Sequence, residues 1–396
     1  MPWNLHRFVA FLLLLFTAQA AADEPMKVFS VLDFGAVADG KTDSSKAFLE
    51  AWNGACAWDG QGRVVVPKGT FLVGPVGFSG PCKGSITFQL SGVMKAPGEL
   101  DRFPSESWVE FRYLSNLLLT GGGTFHGQGA LAWPHNDCSQ SDNCKPLPTS
   151  LRLSFVNDST IRGISSIDSK QFHVVVFQCY GIKFINVNIS APAESPNTDG
   201  IHIGNSARVS ISRSRIGTGD DCVSIGPGST DVSVSDVFCG PGHGISVGSL
   251  GKYLDDKDVR NVTVRNCTLS NTDNGLRIKT WPDSTDMSAT NFTFKDVVMR
   301  NVRFPIFIDQ LYCPRSDCTH KNPSRVQISD IRFDNIRGTS ATQVAINLVC
   351  SKEKPCQNLM MNDVDLQYNG PEGPAQALCV NTKGISTGSQ SPPSCL

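Results

Sequence analysis

Residues 200–248 read "GIHIGNSARVSISRSRIGTGDDCVSIGPGSTDVSVSDVFCGPGHGISVG" and contain one short apolar run three times. The runs start at Gly200, Cys222 and Gly244, each 22 residues after the last, and a fourth, "GLRIK", starts 31 residues later at Gly275. A repeat in the low twenties with one β-run per period is typical of a coiled, parallel-stranded solenoid. Runs such as "RVSISRSRI" and "DVSVSDVFC" lie between them and predict a second sheet.

The repeat extends over most of the chain, through runs such as "SITFQLSGV" and "QVAINLV". An open rung exposes unpaired N–H and C=O groups, so both ends of a solenoid need covers. Residues 43–56, "DSSKAFLEAWNGAC", have apolar residues at helical spacing and predict an N-terminal capping helix. Residues 379–395, "CVNTKGISTGSQSPPSC", are expected to form a tail that closes the other end. No linker divides the chain, so residues 23–396 are predicted to form one all-β domain.

Residues 1–22 are predicted to be a secretory signal peptide. The apolar run "FVAFLLLLF" (8–16) follows Arg7 and precedes the small residues "TAQAAA", and it is too short to span a bilayer. No later stretch is long and apolar enough to do so. The sequence therefore predicts a secreted protein of the extracellular space or cell wall, without a membrane partner. Sequons that permit N-glycans, of which we expect only some to be used, start at Asn157, Asn188, Asn261, Asn266 and Asn291.

The 14 cysteines predict a set of disulfides, because the chain is expected to be exported. Cys179 and Cys267 lie in apolar strand-like runs, where a buried free thiol is at least as favoured as a bridge. Cys222 and Cys239 are bridge candidates. Separation along the chain favours five further pairs: Cys56 with Cys82, Cys138 with Cys144, Cys313 with Cys318, Cys350 with Cys356, and Cys379 with Cys395.

The formal net charge of the whole chain is −1. Without a basic surplus, general nucleic-acid binding is not expected. The sequence has no phosphate-binding loop, nucleotide fingerprint or His/Cys metal spacing, so neither a cofactor nor a metal is expected. A polyanionic partner would therefore require the positive charge to be concentrated in one place.

The same phase of three consecutive repeats is occupied by Asp199, Asp221 and His243. Because stacked rungs lie about 4.8 Å apart, these side chains should form one column at the mouth of a sheet. Asp220 lies one residue before that column. A single aspartate at a rung corner is usually a turn residue, but several within a few ångströms repel each other unless one keeps its proton. The column therefore predicts the acid–base groups of a glycoside hydrolase.

Strand alternation places cations on the same face as the carboxylates. If Ile201 and its equivalents point inward, then His202, Ser224, Arg277 and Lys279 should point outward. An arginine side chain matches a carboxylate in bidentate fashion. The two outward cations therefore predict binding of a negatively charged sugar.

Four short motifs carry a resemblance to a known family. "NTDG" (197–200), "GDDC" (219–222), "GHG" (242–244) and "RIK" (277–279) resemble the motifs of the polygalacturonases, glycoside hydrolase family 28. Each motif alone is weak, but four in this order and spacing are specific. Longer phrases such as "DFGAVADGKTDSSKAF" and "IDQLYC" are most similar to plant pollen exopolygalacturonases. One departure is His126, where the family usually has Asp, and we expect it to have a structural consequence only.

The resemblance implies a right-handed parallel β-helix that hydrolyses α-1,4-linked galacturonan with inversion. It implies that Asp220 is the general acid, that Asp199 and Asp221 hold and deprotonate the attacking water, and that His243 tunes the protonation of the acid. Inverting enzymes usually hold their carboxylates ~6.5–9.5 Å apart and retaining enzymes ~5–5.5 Å apart. The stacked column is nearer the retaining spacing, so the repeat geometry and the resemblance disagree, and we follow the resemblance.

The resemblance also implies how the substrate is bound. Arg277 and Lys279 would bind a galacturonate carboxylate, and Asn197 and Tyr312 would line the cleft. The implied partner is polygalacturonic acid (pectin), bound by a monomer and cleaved from its non-reducing end. Cleavage at an end needs loops that block the cleft. The candidates are "GSLGKYLDDKD" (248–258) and "CPRSDCTHKNP" (313–323), which could instead lie on the far side of the coil.

Three alternatives remain open from the sequence. The first is an endo-acting polygalacturonase, which would cut inside the polymer. The second is a calcium-dependent pectate lyase, because aspartate clusters also bind Ca²⁺. The third is a non-catalytic pectin-binding wall protein that kept the scaffold. The order of the motifs favours the hydrolase over the lyase, and the presence of all the motif residues argues against the non-catalytic protein.

Overall fold

The computed structural model describes residues 26–138, 144–314, 318 and 321–396. The predicted signal peptide, residues 1–22, lies outside these ranges. Within them, no helix has the length and apolar character needed to cross a membrane.

Short strands make up most of the described chain. One α-helix, α1 (Ser45–Cys56), and four 3-10 turns (Val31–Phe34, Leu100–Arg102, Gly129–Leu131 and Trp133–His135) occur in the described ranges. The strands, in chain order, are β1 (Met26–Ser30), β2 (Asp39–Asp43), β3 (Gln61–Val66), β4 (Thr70–Leu72), β5 (Val76–Ser79), β6 (Ile86–Leu90), β7 (Val93–Lys95), β8 (Ser107–Ser115), β9 (Leu117–Thr120), β10 (Thr124–His126), β11 (Thr149–Asn157), β12 (Thr160–Arg162), β13 (Ser165–Ile167), β14 (Val174–Phe177), β15 (Lys183–Ile185), β16 (Asn188–Ser190), β17 (Ile201–Gly204), β18 (Ala207–Ser212), β19 (Arg215–Gly217), β20 (Val223–Ile225), β21 (Thr230–Ser235), β22 (Phe238–Cys239), β23 (Ile245–Leu250), β24 (Val259–Ser270), β25 (Asn274–Thr280), β26 (Met287–Val302), β27 (Phe304–Asp309), β28 (Val326–Ser340), β29 (Val344–Val349), β30 (Cys356–Gln367), β31 (Gln376–Val380) and β32 (Thr382–Ser391).

Successive turns of the coil stack these strands into parallel sheets. An 11-stranded sheet, called here the cleft sheet, contains β5, β8, β11, β14, β17, β20, β23, β25, β27, β29 and β31. The other strands form two ladders that merge into one 21-stranded sheet at β24, which pairs with both β21 and β22. Over much of the chain, the second sheet predicted from the sequence therefore forms two separate faces of the coil. The fold is a right-handed parallel β-helix, as expected.

Inward-pointing aliphatic side chains stack from rung to rung in the centre of the coil. Ile201, Val223 and Ile245 are at most 1% exposed, as strand alternation predicted. Val223 pairs in register with Ile201 on one side and with Ile245 on the other. Fully burying such a side chain contributes about 1.5–3 kcal/mol. The buried column therefore sets the register of the rungs, and with it the positions of the residues that precede each strand.

Asparagine and aspartate side chains form ladders along the corners of the coil. Asn261 and Asn291 have left-handed backbone conformations, with φ of 59° and 61°, which short polar residues adopt more readily than most. Asn291 Nδ2 donates to Asn261 Oδ1 at 2.7 Å, and Asn261 Nδ2 donates to Asp231 Oδ1 at 2.8 Å. These residues thus turn the chain and tie neighbouring rungs together. The sequon asparagines are all exposed: Asn157, Asn188, Asn261, Asn266 and Asn291.

The two ends of the coil differ from each other. At the N-terminal end, α1 packs against β1, β3 and β5 and buries Phe48 and Trp52, which agrees with the capping helix predicted for residues 43–56. At the C-terminal end, β32 pairs with β30 and is the last rung of its ladder. It lies within residues 379–395, the segment expected to close this end, and it forms a strand despite its polar composition because backbone ladder bonds do not depend on the side chains.

The cysteines form six disulfides among the described residues. Cys179 and Cys267 are free and buried, and burial raises the pKa of each thiol to about 11, so both stay protonated. The bonded pairs include all those favoured by the sequence: Cys56–Cys82, Cys138–Cys144, Cys222–Cys239, Cys313–Cys318, Cys350–Cys356 and Cys379–Cys395.

Candidate active site

The sequence-predicted carboxylates meet at the edge of the cleft sheet where its strands begin. Because β17, β20 and β23 pair in register, Asp199, Asp221 and His243 occupy the same position on three consecutive rungs. The next rung is β25, whose Arg277 lies opposite Ser246 of β23. The structure therefore brings together the column and the cation that strand alternation placed beside it.

Asp220 is held in one orientation by three donors. Its Oδ1 accepts the backbone N–H of Asp221 at 2.8 Å and lies 2.9 Å from Nδ1 of His243. Its Oδ2 lies 3.4 Å from Nδ2 of Asn197. Although His243 stacks in the column behind Asp221, its imidazole contacts Asp220. Because Oδ1 already has two donors, Oδ2 is the oxygen that remains open to a substrate.

The Asp220–His243 pair holds a proton on the imidazole. Burial would raise the pKa of Asp220, but the hydrogen bond and charge of His243, together with Lys279, lower it. Burial would likewise lower the pKa of His243, but the hydrogen bond and charge of Asp220, and then the charges of Asp221 and Asp273, raise it. The nearest oxygen of Asp273 lies 3.8 Å from His243 Nε2.

Asp199 is the carboxylate that keeps its proton most readily. It is 6% exposed, and burial followed by the charges of Asp220 and Asp221 raises its pKa well above the usual range. The hydroxyl of Ser224 donates to its Oδ2 at 2.8 Å. Burial is the larger cause of this shift, and the crowding of carboxylates considered from the sequence is the smaller one.

Asp221 is buried and paired with an ammonium. Lys279 Nζ donates to its Oδ2 at 2.8 Å, and Ser246 donates to its Oδ1 at 2.7 Å. Burial would lower the pKa of Lys279, but the charge of Asp221 outweighs this and raises it. Lys279 was expected to be an exposed cation, and it is instead buried because the ring of Tyr312 covers it at 5.3 Å. In the structure this ammonium fixes the carboxylate of Asp221.

Arg277 is the more accessible cation of the site. Its guanidinium lies 3.7 Å from Asp309 and stacks over the rings of Phe307 and Tyr312, at 5.5 Å and 5.1 Å. Its Nε has no hydrogen-bond partner among the described residues. That Nε is buried, and the side chain as a whole is 13% exposed, so only the exposed part of the guanidinium could contact a bound carboxylate.

Comparison with known proteins places the chain in a family. The pattern of the "Glycosyl hydrolases family 28" matches residues 56–393. The chain belongs to glycosyl hydrolase family 28. It is 47% identical to an exopolygalacturonase of Platanus acerifolia, over 92% of this chain and 97% of that protein, and 46% identical to a polygalacturonase of Gossypium barbadense, over 97% and 94%. Among solved structures, endo-xylogalacturonan hydrolase from Aspergillus tubingensis is 28% identical, with a TM-score of 0.79 over 92% of this chain and 100% of that chain.

Asn136 contacts this family 28 site and was not identified from the sequence. Asn136 Nδ2 donates to Asn197 Oδ1 at 3.2 Å, and its own Oδ1 accepts the backbone N–H of Cys138 at 3.1 Å. Asn136 thus orients the amide that contacts Asp220. It lies in an irregular segment between β10 and β11, where the sequence repeat does not predict the position of a side chain. The predicted Cys138–Cys144 bridge was the feature of the sequence that indicated a covalently constrained segment here.

Loops line both edges of the cleft sheet. On the edge where Asp199 and Asp221 lie, the segment between β10 and β11 reaches Asn197. On the opposite edge, the two loops that were proposed to block the cleft follow β23 and β27. Lys252 of the first loop and Tyr312, which directly precedes the second, both approach Trp281, at 5.0 Å and 5.3 Å. Residues 315–317, 319 and 320 of the second loop lie outside the described ranges. Residues of these segments therefore lie beside both edges of the cleft sheet.

Three groups of the site also have metal-ligating side chains. One potential ligand atom from each of Asp220, Asp221 and His243 lies within 4.8 Å of the others. Asp221, however, already binds the Lys279 ammonium, and Asp220 already accepts from His243. The negative charge is thus balanced by protein cations, and the set fits proton transfer better than a calcium site.

Proposed function

We propose that this family 28 protein is a polygalacturonase that cleaves α-1,4-galacturonosyl bonds of de-esterified homogalacturonan and releases monomer from the non-reducing end. The observation that carries this proposal is the Asp220–His243 pair facing Asp199 and Asp221 across neighbouring rungs, with Arg277 beside them. The extensive identity to an exopolygalacturonase supports the substrate and the exo mode. Six disulfides support a secreted protein acting in the cell wall, since such bonds persist in oxidising compartments.

In this proposal Asp220 donates a proton from Oδ2 to the leaving glycosidic oxygen. His243 keeps the pKa of Asp220 low, so the protonated carboxyl is a strong donor once it forms. A bound galacturonan adds negative charge beside Asp220, which raises its proton affinity. Asp220 would therefore be protonated mainly when the substrate is present.

The attacking water is held between Asp199 and Asp221. The Lys279 ammonium is bound to Asp221 and fixes its carboxylate, which orients the water by accepting a hydrogen bond. Asp199 acts in its ionised form, and its raised pKa makes that carboxylate a strong acceptor for the proton that leaves as the water oxygen attacks the anomeric carbon. Attack by water rather than by a carboxylate gives inversion. The resemblance supports this outcome, whereas Asp220 and Asp221 have oxygens within 4.8 Å, which is nearer the spacing of a retaining pair.

Arg277 binds a galacturonate carboxylate next to the cleaved bond. Its fork is only partly occupied by Asp309, and the rings of Phe307 and Tyr312 hold the guanidinium in place. Charge-assisted bidentate pairs of this kind select for an acidic sugar over a neutral one.

Early products from polygalacturonate test the proposal. We expect monogalacturonate alone, with little fall in viscosity, an inverted anomer by proton NMR, and full activity in EDTA. Asp220→Asn is the control, because it keeps the shape but removes the transferable proton, and it should lose about 10²–10⁴-fold in kcat. Mixed oligomers with a rapid viscosity loss would indicate an endo enzyme, and an unsaturated product lost with EDTA would indicate a lyase.

A further inference from the structure

Three exposed aromatic rings lie together around Asn157. Among the described residues, four Phe or Tyr side chains are exposed, and Tyr113, Phe155 and Tyr180 are three of them, at 54%, 40% and 42%. The fourth, Tyr253, belongs to the loop after β23. The three rings lie at the edge of the cleft sheet where its strands end, on rungs before β17, and so outside the candidate site. Exposed apolar area gathered in one place marks a surface that something covers.

The register of the rungs places the rings beside the Asn157 amide. Phe155 is two residues before Asn157, and Val156 between them is buried, so the first two side chains share the outer face of the coil. Tyr180 pairs with Asn157 from the next rung. Tyr113 lies on the preceding rung, where β8 pairs in register with β11. Asn157 therefore has an aromatic residue on its own strand and on both neighbouring rungs.

Contacts on the protein side hold these rings in place. Tyr113 and Phe155 stack with 4.9 Å between centroids and 16° between planes, and the edge of Phe177 meets Phe155 at 6.4 Å. Arg208 lies over the Tyr180 ring at 5.1 Å and donates to its hydroxyl at 2.6 Å. The rings thus form a fixed aromatic surface around Asn157.

Tyr113 and Phe155 occupy corner positions that suit short polar residues. Both have φ of 56°, a left-handed conformation that bulky residues rarely adopt, and they are the only aromatic residues with positive φ in the described ranges. Gln178 and Asn205 take the same corner on the next two rungs. Since a short polar residue turns the chain as well, two exposed rings here indicate a role for the rings themselves.

The side chain of Asn157 is free to be modified. Asn157 begins the sequon "NDS" (157–159), is exposed, and makes no side-chain hydrogen bond to another described residue. Three other sequons differ, because Nδ2 of each asparagine already donates to the neighbouring rung: Asn261, Asn266 and Asn291. A sugar on any of those nitrogens would lie between stacked side chains of the ladder.

We propose that Asn157 carries an N-glycan whose first N-acetylglucosamine packs on Phe155 and Tyr180. The inference rests on the secretion proposed above and is independent of the hydrolytic reaction. Asn157 Nδ2 bonds to the anomeric carbon of a lipid-diphosphate-linked oligosaccharide, the lipid diphosphate leaves, and Nδ2 gives up one proton. The C–H groups of a pyranose face carry partial positive charge and pack on the negative face of an aromatic ring. The first sugar thus covers the aromatic surface.

Asn188, the fifth sequon asparagine, provides a contrast. It is exposed and, like Asn157, makes no side-chain hydrogen bond to another described residue. Its neighbours on the adjacent rungs are Ser165 and Arg215, and Asn186 lies two residues before it. Because none of these neighbours is aromatic, a glycan on Asn188 would extend into solvent without stabilising the fold.

Mass spectrometry of glycopeptides from the full chain, secreted by plant cells, tests the site. We expect a glycan on Asn157 in nearly all molecules and on the three ladder asparagines, Asn261, Asn266 and Asn291, in few or none. Secreted protein without a glycan on Asn157, or with a ladder asparagine modified as often, would overturn the inference. Failure of the proposed secretion differs, because the chain would then stay in the cell without a glycan at any sequon.

Thermal unfolding tests the packing of the first sugar. Trimming the glycan to a single N-acetylglucosamine with an endoglycosidase should leave Tm unchanged, whereas Asn157→Gln should lower it by about 2 °C. In a Phe155→Ala background, Asn157→Gln should have little further effect, because the ring that the sugar covers is already absent. Tyr180→Leu serves if Phe155→Ala folds poorly. Asn188→Gln is the matched control and should keep Tm.

Kinetics on polygalacturonate distinguish the glycan from the substrate as the group that covers the rings. Asn157→Gln and Phe155→Ala should both keep the wild-type kcat and KM, since the rings lie outside the candidate site. An unchanged Tm in Asn157→Gln, or the same loss with and without the Phe155 ring, would overturn the packing. A raised KM in Phe155→Ala would make this surface a site for the polymer and would equally overturn the inference.

Discussion

At the scale of single residues, the contact of His243 with Asp220 sets the pH range over which the imidazole keeps its proton. Its imidazole contacts Asp220 at 2.9 Å, and its pKa is raised by that bond and by nearby carboxylates. The pair therefore keeps its proton to a higher pH than an isolated imidazole. The same shift stabilises the fold below the unfolded pKa of histidine, and this contribution is lost as pH rises through the folded pKa.

We predict that His243→Gln moves the alkaline limb of kcat/KM to lower pH. Glutamine can still donate to Asp220, but without the imidazole the carboxyl alone must hold the proton. Rates of galacturonate release between pH 3 and 8 measure this.

Asp273→Asn is the companion variant, because it removes only one of the charges that raise the pKa of His243. It should shift the alkaline limb in the same direction by less. An alkaline limb that stays in place in His243→Gln would show that another group sets it.

At the scale of elements, strand β25 presents two cations on one face, and their surroundings give them different tasks. Arg277 keeps a buried Nε without a partner among the described residues, whereas Lys279 is closed off by Tyr312 and bound to Asp221. From strand alternation in β25 alone, Arg277 and Lys279 would both be expected to be exposed cations on the same face of the sheet. Their difference arises from a loop that follows the next strand of the same sheet, β27.

We therefore predict opposite kinetic signatures for the two cations. Arg277→Ala should raise KM for oligogalacturonates with a smaller effect on kcat, because it removes a substrate contact. Lys279→Met should lower kcat and destabilise the fold by about 3–5 kcal/mol, because it leaves a buried carboxylate unpaired. Steady-state kinetics and thermal unfolding of both variants measure this.

Arg277→Lys is the control for the first variant, since it keeps the charge but loses the fork, and it should recover KM only in part. If Lys279→Met instead raised KM and unfolded at the wild-type temperature, the ammonium would be a substrate ligand, as the family resemblance implied.

The elements also show what could be predicted from the sequence. The 22-residue spacing placed Asp199, Asp221 and His243 in one column, because a register depends only on backbone pairing and inward alternation. It could not place Asn136, which reaches the site from a segment without a repeat. Nor could it show that Tyr312 buries Lys279, because that depends on how a loop folds back over the sheet.

At the scale of the whole molecule, stability is a sum over rungs that contact only their neighbours. The site lies on rungs in the middle of the coil, where both neighbours hold the register. The first rungs depend on α1, whose Trp52 packs against Phe78 and Phe111 at 5.1 Å and 5.6 Å and donates from Nε1 to the carbonyl of Ser79 at 3.1 Å. Loss of the contacts made by α1 should therefore destabilise the N-terminal rungs of the coil before it affects the site.

We predict that Trp52→Ala destabilises the protein by about 3–5 kcal/mol through the cavity it leaves in the core. The variant should unfold at a lower temperature by calorimetry while its folded fraction keeps the wild-type KM and pH profile, because α1 packs against β1, β3 and β5, several rungs before the candidate site. Leu254→Ala is the control. Leu254 is equally apolar but 91% exposed, so its loss should change the free energy of unfolding by no more than about 0.5 kcal/mol. A Trp52→Ala variant with unchanged unfolding but an altered pH profile would mean that the coil transmits changes along its length, contrary to the nearest-neighbour account.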